Sequence, residues 1–151
     1  MPRPISCFVL GVSAATAALT ACTAPLPAGT AQRRAELAEL RHPADVDFAG
    51  NLDISVARDG DDLHLINREA RAFDGAIVWL NQQYAGLATR LAIGPDNRMP
   101  LRAFANRHGE TFPAGSWLAP DAAETLVAAE LVLADGSRHR LTVWPDERWY
   151  E

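Results

Sequence analysis

Leu126-Val-Ala-Ala-Glu-Leu-Val-Leu133, Ala134-Asp135-Gly136 and Ser137-Arg-His-Arg-Leu-Thr-Val-Trp144 read together as a β-hairpin. A three-residue loop with Gly in third position suits a type I turn closed by a G1 bulge, because Gly takes the left-handed conformation there at little cost. That loop sets Leu131 opposite His139, Ala129 opposite Leu141 and Val127 opposite Val143. On the other face it sets Glu130 opposite Arg140, an opposite-charge pair worth about 0.2–1 kcal/mol. A competing pattern exists: Asp121-Ala-Ala-Glu124 fits a capping box, which would start a helix over Ala122 to Leu133. The hairpin register accounts for more of the residues.

The same alternation recurs earlier in the chain. Leu52-Asp-Ile-Ser-Val56 and Leu63-His-Leu65 flank Arg58-Asp59-Gly60-Asp61. A two-residue Asp-Gly turn predicts Val56 opposite Leu63 and Ile54 opposite Leu65, with the apolar residues on one face. Gly75-Ala-Ile-Val-Trp-Leu-Asn81 is apolar at successive positions, so it reads as a central strand covered on both sides. Ala88 to Ile93 and Pro100 to Phe104 are shorter strand candidates, with Gly94-Pro-Asp-Asn97 as the turn between them. Short strands between closely spaced turn signals predict an all-β sandwich of about seven strands. The arrangement resembles an immunoglobulin-like or fibronectin-type β-sandwich, with Trp79 on the third strand, where such domains often bury a Trp. The chain has only two Cys, Cys7 and Cys22, so the disulfide of antibody domains is missing and the likeness is architectural. Architecture carries no function.

The N-terminus has a different character. Met1 to Cys7 carries one charge, Arg3, and Phe8 to Leu19 is an apolar run. A run of that length fits the apolar region of an export signal and is short of the roughly 20 residues a spanning helix needs. Leu19-Thr20-Ala21-Cys22 follows: an aliphatic residue, two small residues, then Cys. This resembles the lipobox of bacterial lipoproteins. The resemblance covers the first 22 residues. It implies diacylglyceryl transfer to the Cys22 sulfur, cleavage before it, and acylation, commonly palmitate, of the new amine. Two or more acyl chains give stable membrane attachment. Thr23 stands where an Asp often retains Gram-negative lipoproteins at the inner membrane, so the resemblance points to the outer membrane, periplasmic side. Thr23 to Thr30 is Pro-rich and reads as an extended tether. Ala31 to Arg41 is built from good helix formers, with Thr30 as cap and His42-Pro43 as stop, and with Leu37 and Leu40 on one face. The expected organisation is a signal over 1–21, a lipidated Cys, linker and short helix over 22–45, and a β-sandwich over 46–151.

Composition narrows the chemistry. The net charge of −5 argues against a sequence-independent grip on nucleic acid. Every basic side chain among the 14 is Arg, which removes Schiff-base and P-loop lysine chemistry. His42, His64, His108 and His139 are dispersed, and no pair has a metal-ligand spacing, so no metal or cofactor is expected. His108-Gly-Glu110 matches half of a deaminase motif, but no Cys pair follows it. Asp59, Asp61 and Asp62 crowd one turn without the regular oxygen spacing of a calcium loop. Ser116 lacks the second Gly of a nucleophile elbow. The longer loops are Arg68 to Asp74 and Asn106 to Asp121, and a site would need them to converge. Trp117, Trp144, Trp149 and Tyr150 form the candidate binding surface, since rings make good ligand contacts. The expectation is a non-catalytic interaction or structural module attached to the membrane through lipid on Cys22, with an envelope protein or a glycan as partner. The alternatives are a small cell-envelope hydrolase and a dedicated glycan-binding module.

Overall fold

The computed structural model describes residues 28–115 and 123–144. One helix, α1 (Ala28–Ala38), precedes seven strands: β1 (Phe48–Asp59), β2 (Asp62–Asn67), β3 (Phe73–Leu80), β4 (Tyr84–Leu91), β5 (Gly94–Pro100), β6 (Ala129–Val132) and β7 (Arg138–Val143). The strands hydrogen-bond in the order β4-β3-β6-β7-β1-β2-β5, antiparallel except where β1 runs parallel to β7. The twelve-residue β1 belongs to both wings, pairing β2 along one edge and β7 along the other, with its register to β7 shifting twice.

Four strand spacings of about 4.8 Å would hold β2 roughly 19 Å from β3 in a flat sheet. Yet Leu63 and Leu65 of β2 share one fully buried cluster with Val78 and Leu80 of β3, Leu131 of β6 and Ile54 and Val56 of β1. The sheet therefore closes over its own apolar face, with β4-β3-β6-β7 opposite β1-β2-β5. Leu101, Phe104 and Phe112 complete that core from the β5–β6 connection. This is the all-β sandwich of seven strands behind a short helix that the strand patterning predicts.

The last hairpin forms as expected. Gly136 takes φ 83, its N–H donates to Leu133 O at 2.9 Å, and Leu131 pairs His139 while Glu130 pairs Arg140. The pairing ends at Glu130 and does not reach Val127, which is 71% exposed. Asn81 explains the early end: its side-chain oxygen accepts the N–H groups of Val127 and Ala128 at 2.9 and 3.2 Å. Residues 123–128 are not helical, so the competing helix is not formed there.

The first hairpin keeps its predicted faces but slides by two residues, so that Val56 faces Leu65 and Arg58 faces Leu63. The loop is Gly60-Asp61 rather than Asp59-Gly60. Gly60 has φ 59, and placing it first in a two-residue loop gives the II′ pattern, with positive φ needed only there. Two further expectations fail locally. Gly94-Pro-Asp-Asn97 is not a turn but the start of β5, because the Asn97 amide binds Leu65 O, Ala92 O and Gly94 O and its oxygen accepts Ala92 N–H. Pro95 and Pro100 are tolerated because β5 is an edge strand. Within Pro100 to Phe104, Pro100 closes β5 and Leu101–Ala103 is one turn of 3-10 helix.

The central strand β3 is covered on both faces, as its composition predicts. Ala76, Val78 and Leu80 enter the sandwich core, while Ile77 and Trp79 pack with Leu87, Ala85, Ala105, Val132 and Leu37 of α1. Trp79 is buried, but under the helix rather than between the wings, which departs from the immunoglobulin-like placement. Helix α1 ends at Ala38, earlier than the sequence suggests. Leu37 is buried, while Leu40 lies beyond the helix and is 38% exposed.

Gly86 tests the packing. It lies opposite Val78, and a Cβ there would sit 2.5 to 2.9 Å from the ring of fully buried Phe104. Gly86→Ala is expected to lower unfolding free energy by about 1–3 kcal/mol, read by urea denaturation, because the fully buried Phe104 ring would have to shift within a close-packed core.

Candidate functional site

The outer face of the β3–β6–β7 region carries a buried polar cluster. Trp79 and Glu130 are cross-strand partners, so their side chains share a face, and the cover that buries Trp79 also buries Glu130. Arg138 lies beside it on β7. Its Nε donates to Glu130 Oε2 at 2.8 Å and its Nη2 to Oε1 at 3.0 Å, a two-pronged grip between residues 3% and 5% exposed. Nη1 of Arg138 donates to Pro43 O and Val46 O at 3.1 and 3.0 Å. His42 Nε2 lies 2.8 Å from Glu130 Oε2, and its ring meets Trp79 edge-on at 5.2 Å between centroids. Gln82 Nε2 donates to Glu130 Oε1 at 3.0 Å. The guanidinium of Arg138 also stacks over Phe48 at 4.1 Å, with Arg140 over the same ring at 4.4 Å. Burial alone would raise the Glu130 pKa, but hydrogen bonds from Arg138, then His42 and Gln82, overcome it and hold the carboxyl at about 2.

Gln82 reaches Glu130 through an unusual turn. Asn81 and Gln82, between β3 and β4, have φ of 49 and 61, a conformation that costs most for a long side chain without local compensation. Asn81 compensates. Its amide donates to Glu124 Oε1 and Thr125 O, both at 2.8 Å, beside the bonds it accepts from the chain entering β6. Glu124 also accepts from Tyr84 OH at 2.9 Å, and burial followed by this carboxylate pushes the Tyr84 pKa up to about 12.

A cleft of about 520 Å³ opens over the cluster. Its walls are Leu40, Arg41 and His42 after α1, Gln82 and Gln83 in the β3–β4 turn, and Asn106, Arg107 and His108, with Trp79 among its lining. Asn106 shapes the last wall: its Oδ1 accepts His108 N–H and Glu110 N–H at 2.9 and 3.0 Å, and its amide donates to Glu110 Oε2 at 2.8 Å. His108 and Glu110 thus stand in a compact turn, with the Glu110 carboxylate bound to Asn106 rather than to His108. Arg107 Nε donates to His108 Nε2 at 3.0 Å.

Of the residues singled out from sequence, Cys22, Trp117, Trp149 and Tyr150 lie outside the described residues. Trp144 follows β7, is 40% exposed, and donates its N–H to Val56 O at 2.8 Å. Among the described residues, the two long loops meet different ends of β3. Arg68 to Asp74 leads into the start of β3, whereas Asn106 to His108 meets the turn at its end. Asp59 pairs with Arg98 at 2.8 Å at the hairpin tip. Among the described residues no group of three His, Cys, Asp or Glu is placed to hold a metal. Sequence reasoning missed the Glu130–Arg138–His42 cluster: it placed Glu130 opposite Arg140 on the outer face, a pairing that forms, without a cover over that face. The available signal was β3: a strand apolar on its outer face implies a cover, and that cover extends to the neighbour strand. Compared with models of protein families, with curated proteins and with solved structures, the chain matches none.

Because the folded carboxyl lies below its usual value, Glu130 stabilises the fold above about pH 4.5, and that contribution is lost as pH falls toward 2. The contribution at neutral pH is on the order of 2–3 kcal/mol. Glu130→Gln leaves Arg138 buried without its counter-charge and is expected to cost about 3–5 kcal/mol at pH 7. Urea unfolding at a series of pH values should show a steep decline from pH 5 to 2 in the native protein and a flatter one in the variant.

Proposed function

We propose that this protein is a lipoprotein held to the cell envelope by lipid on Cys22, on the periplasmic side of the outer membrane in a Gram-negative cell, and that its β-sandwich is a non-catalytic interaction module. The anchor rests on Leu19-Thr20-Ala21-Cys22 behind an apolar export region. The observation that carries the module is that the segment leaving the tether, Leu40 to His42, itself forms one wall of the open cleft. A lipid-held chain would therefore present that cleft at the junction between tether and sandwich.

Two features favour binding over turnover. The buried carboxyl beneath the cleft, Glu130, is ionised throughout the physiological range and accepts from three side chains, whereas a general acid or base works with a pKa near the operating pH. His108 spends Nε2 on Arg107 and has no carboxylate orienting it among the described residues.

The anchor is tested by Cys22→Ser with cell fractionation and palmitate labelling. The native protein is expected in the membrane fraction with label; the variant is expected to lose the label and leave that fraction. Retention on the membrane with normal maturation would sink the lipid assignment. Separately, the purified protein is expected to turn over no peptidoglycan, ester or peptide substrate. Turnover abolished by His108→Ala would restore the hydrolase reading.

A further inference from the structure

The cleft's unspent hydrogen-bonding capacity is one-sided. Among the described residues neither Arg41 nor Arg107 has a carboxylate within ion-pair distance. Both are exposed at the rim. Among the described residues Arg107 spends only Nε, on His108, which leaves both of its Nη groups as a fork. Because His108 Nε2 accepts that bond, its ring proton sits on Nδ1, a further donor. The Asn106 oxygen is taken up by its own turn and its amide bonds Glu110, while Gln82 has given one amide N–H to Glu130 and keeps its second N–H and its oxygen among the described residues. Gln83 keeps a whole amide. No Asp or Glu is among the described lining residues, although acids outnumber bases in the chain; Glu130 is already neutralised by Arg138, and the Glu110 carboxylate stands behind the wall, bound to the Asn106 amide.

Such a surplus of donors with two uncompensated positive charges complements an acceptor-rich anion. A space of about 520 Å³ is within the range of small-molecule sites and far larger than a bare anion needs. The two Gln side chains and the edge of Trp79 supply neutral contacts for the remainder. We infer that the cleft receives a small ligand bearing an oxyanion, carboxylate or phosphate, on a hydroxyl-rich body such as a sugar ring. Arg107 and Arg41 would hold the oxyanion, and Gln82 and Gln83 the hydroxyls. This inference rests on the reading of the sandwich as a binding module and names the ligand chemistry of its cleft.

The test uses the isotope-labelled full chain in neutral detergent micelles, titrated with glucuronate, glucose 6-phosphate and glucose, which share a ring and differ in the charged group. Saturable shifts in the backbone amides of Gln82, Gln83, Arg107 and His108 are expected with at least one of the anions. Glucose should leave them unchanged. Which anion binds more tightly decides between carboxylate and phosphate. Combining Arg41→Gln with Arg107→Gln should weaken binding about tenfold or more, since hydrogen bonds to charged groups are the stronger class. Thermal unfolding of that variant should stay unchanged, because both side chains are exposed. Three results would each overturn the inference: no saturable shift with either anion, equal binding of glucose, or undiminished binding by the double variant. The wider reading has its own readout in photo-crosslinking from Gln83 in intact cells. A crosslinked envelope partner without anion binding leaves the module standing and removes the oxyanion; anion binding followed by turnover of the ligand removes the non-catalytic module instead.

Discussion

The two-pronged contact between Arg138 and Glu130 decides how the chain before β1 joins the sandwich. A buried ion pair is no guarantee of net stability, since desolvating both charges offsets much of their attraction. What it provides is a set of defined partners for the charged groups beneath residues 42–46, although Arg34 Nε of α1 is buried without a hydrogen-bond partner among the described residues. Glu130 accepts from Arg138, His42 and Gln82, and Arg138 spends its remaining nitrogen on the carbonyls of Pro43 and Val46. Three separate stretches of chain, 42–46, the β3–β4 turn and the β6–β7 hairpin, therefore converge on one carboxylate. An apolar pair of similar volume could fill the space, but it would leave those two carbonyls and the Gln82 amide without their present partners.

The strained turn at Asn81 and Gln82 makes sense within that constraint. Positive φ at two successive non-glycine residues is tolerated because Asn81 is fixed by bonds to Glu124, Thr125, Val127 and Ala128. Successive N–H groups along a strand point to opposite sides, so one of the two that Asn81 holds, on Val127 and Ala128, would have faced β7 in an extended β6, and its capture links the shortened hairpin to the strained turn. Gln82 is then presented to Glu130, and Gln83 stands at the cleft wall. Strain of this kind collects where a side chain must be aimed rather than merely accommodated.

Much of the fold was legible because it depends on short-range periodicity. Gly136 dictated the loop of the last hairpin, and alternation placed Ile54, Val56, Leu63 and Leu65 on the inner face, even though the turn of the first hairpin moves by one residue and its register therefore by two. A shift of two preserves faces, which is why the core prediction survives the register error. What failed depended on single side chains acting at a distance. Asn97 converts a Gly-Pro turn signal into a strand, and no local pattern reveals that its amide will find Leu65 O. The polar cluster was hidden for a similar reason: alternation says that Glu130 faces away from the core, and only the cover contributed by Leu37 and His42 makes that outward face an interior.

That cover also ties the segment before Val46 to the sandwich. Read by strand patterning, the domain starts at Val46, with the helix as an appendage of the tether. Yet Leu37 is 5% exposed against Trp79, His42 is bound to Glu130, and Arg138 holds the carbonyls of Pro43 and Val46. Stripping residues 31–45 would expose Trp79, Ile77 and the buried carboxylate together. Loss of apolar cover and solvation of Glu130 would act on the same face at once. It would also remove one wall of the cleft, so the segment that leads from the tether is at the same time the cover of the outer face and a wall of the cleft.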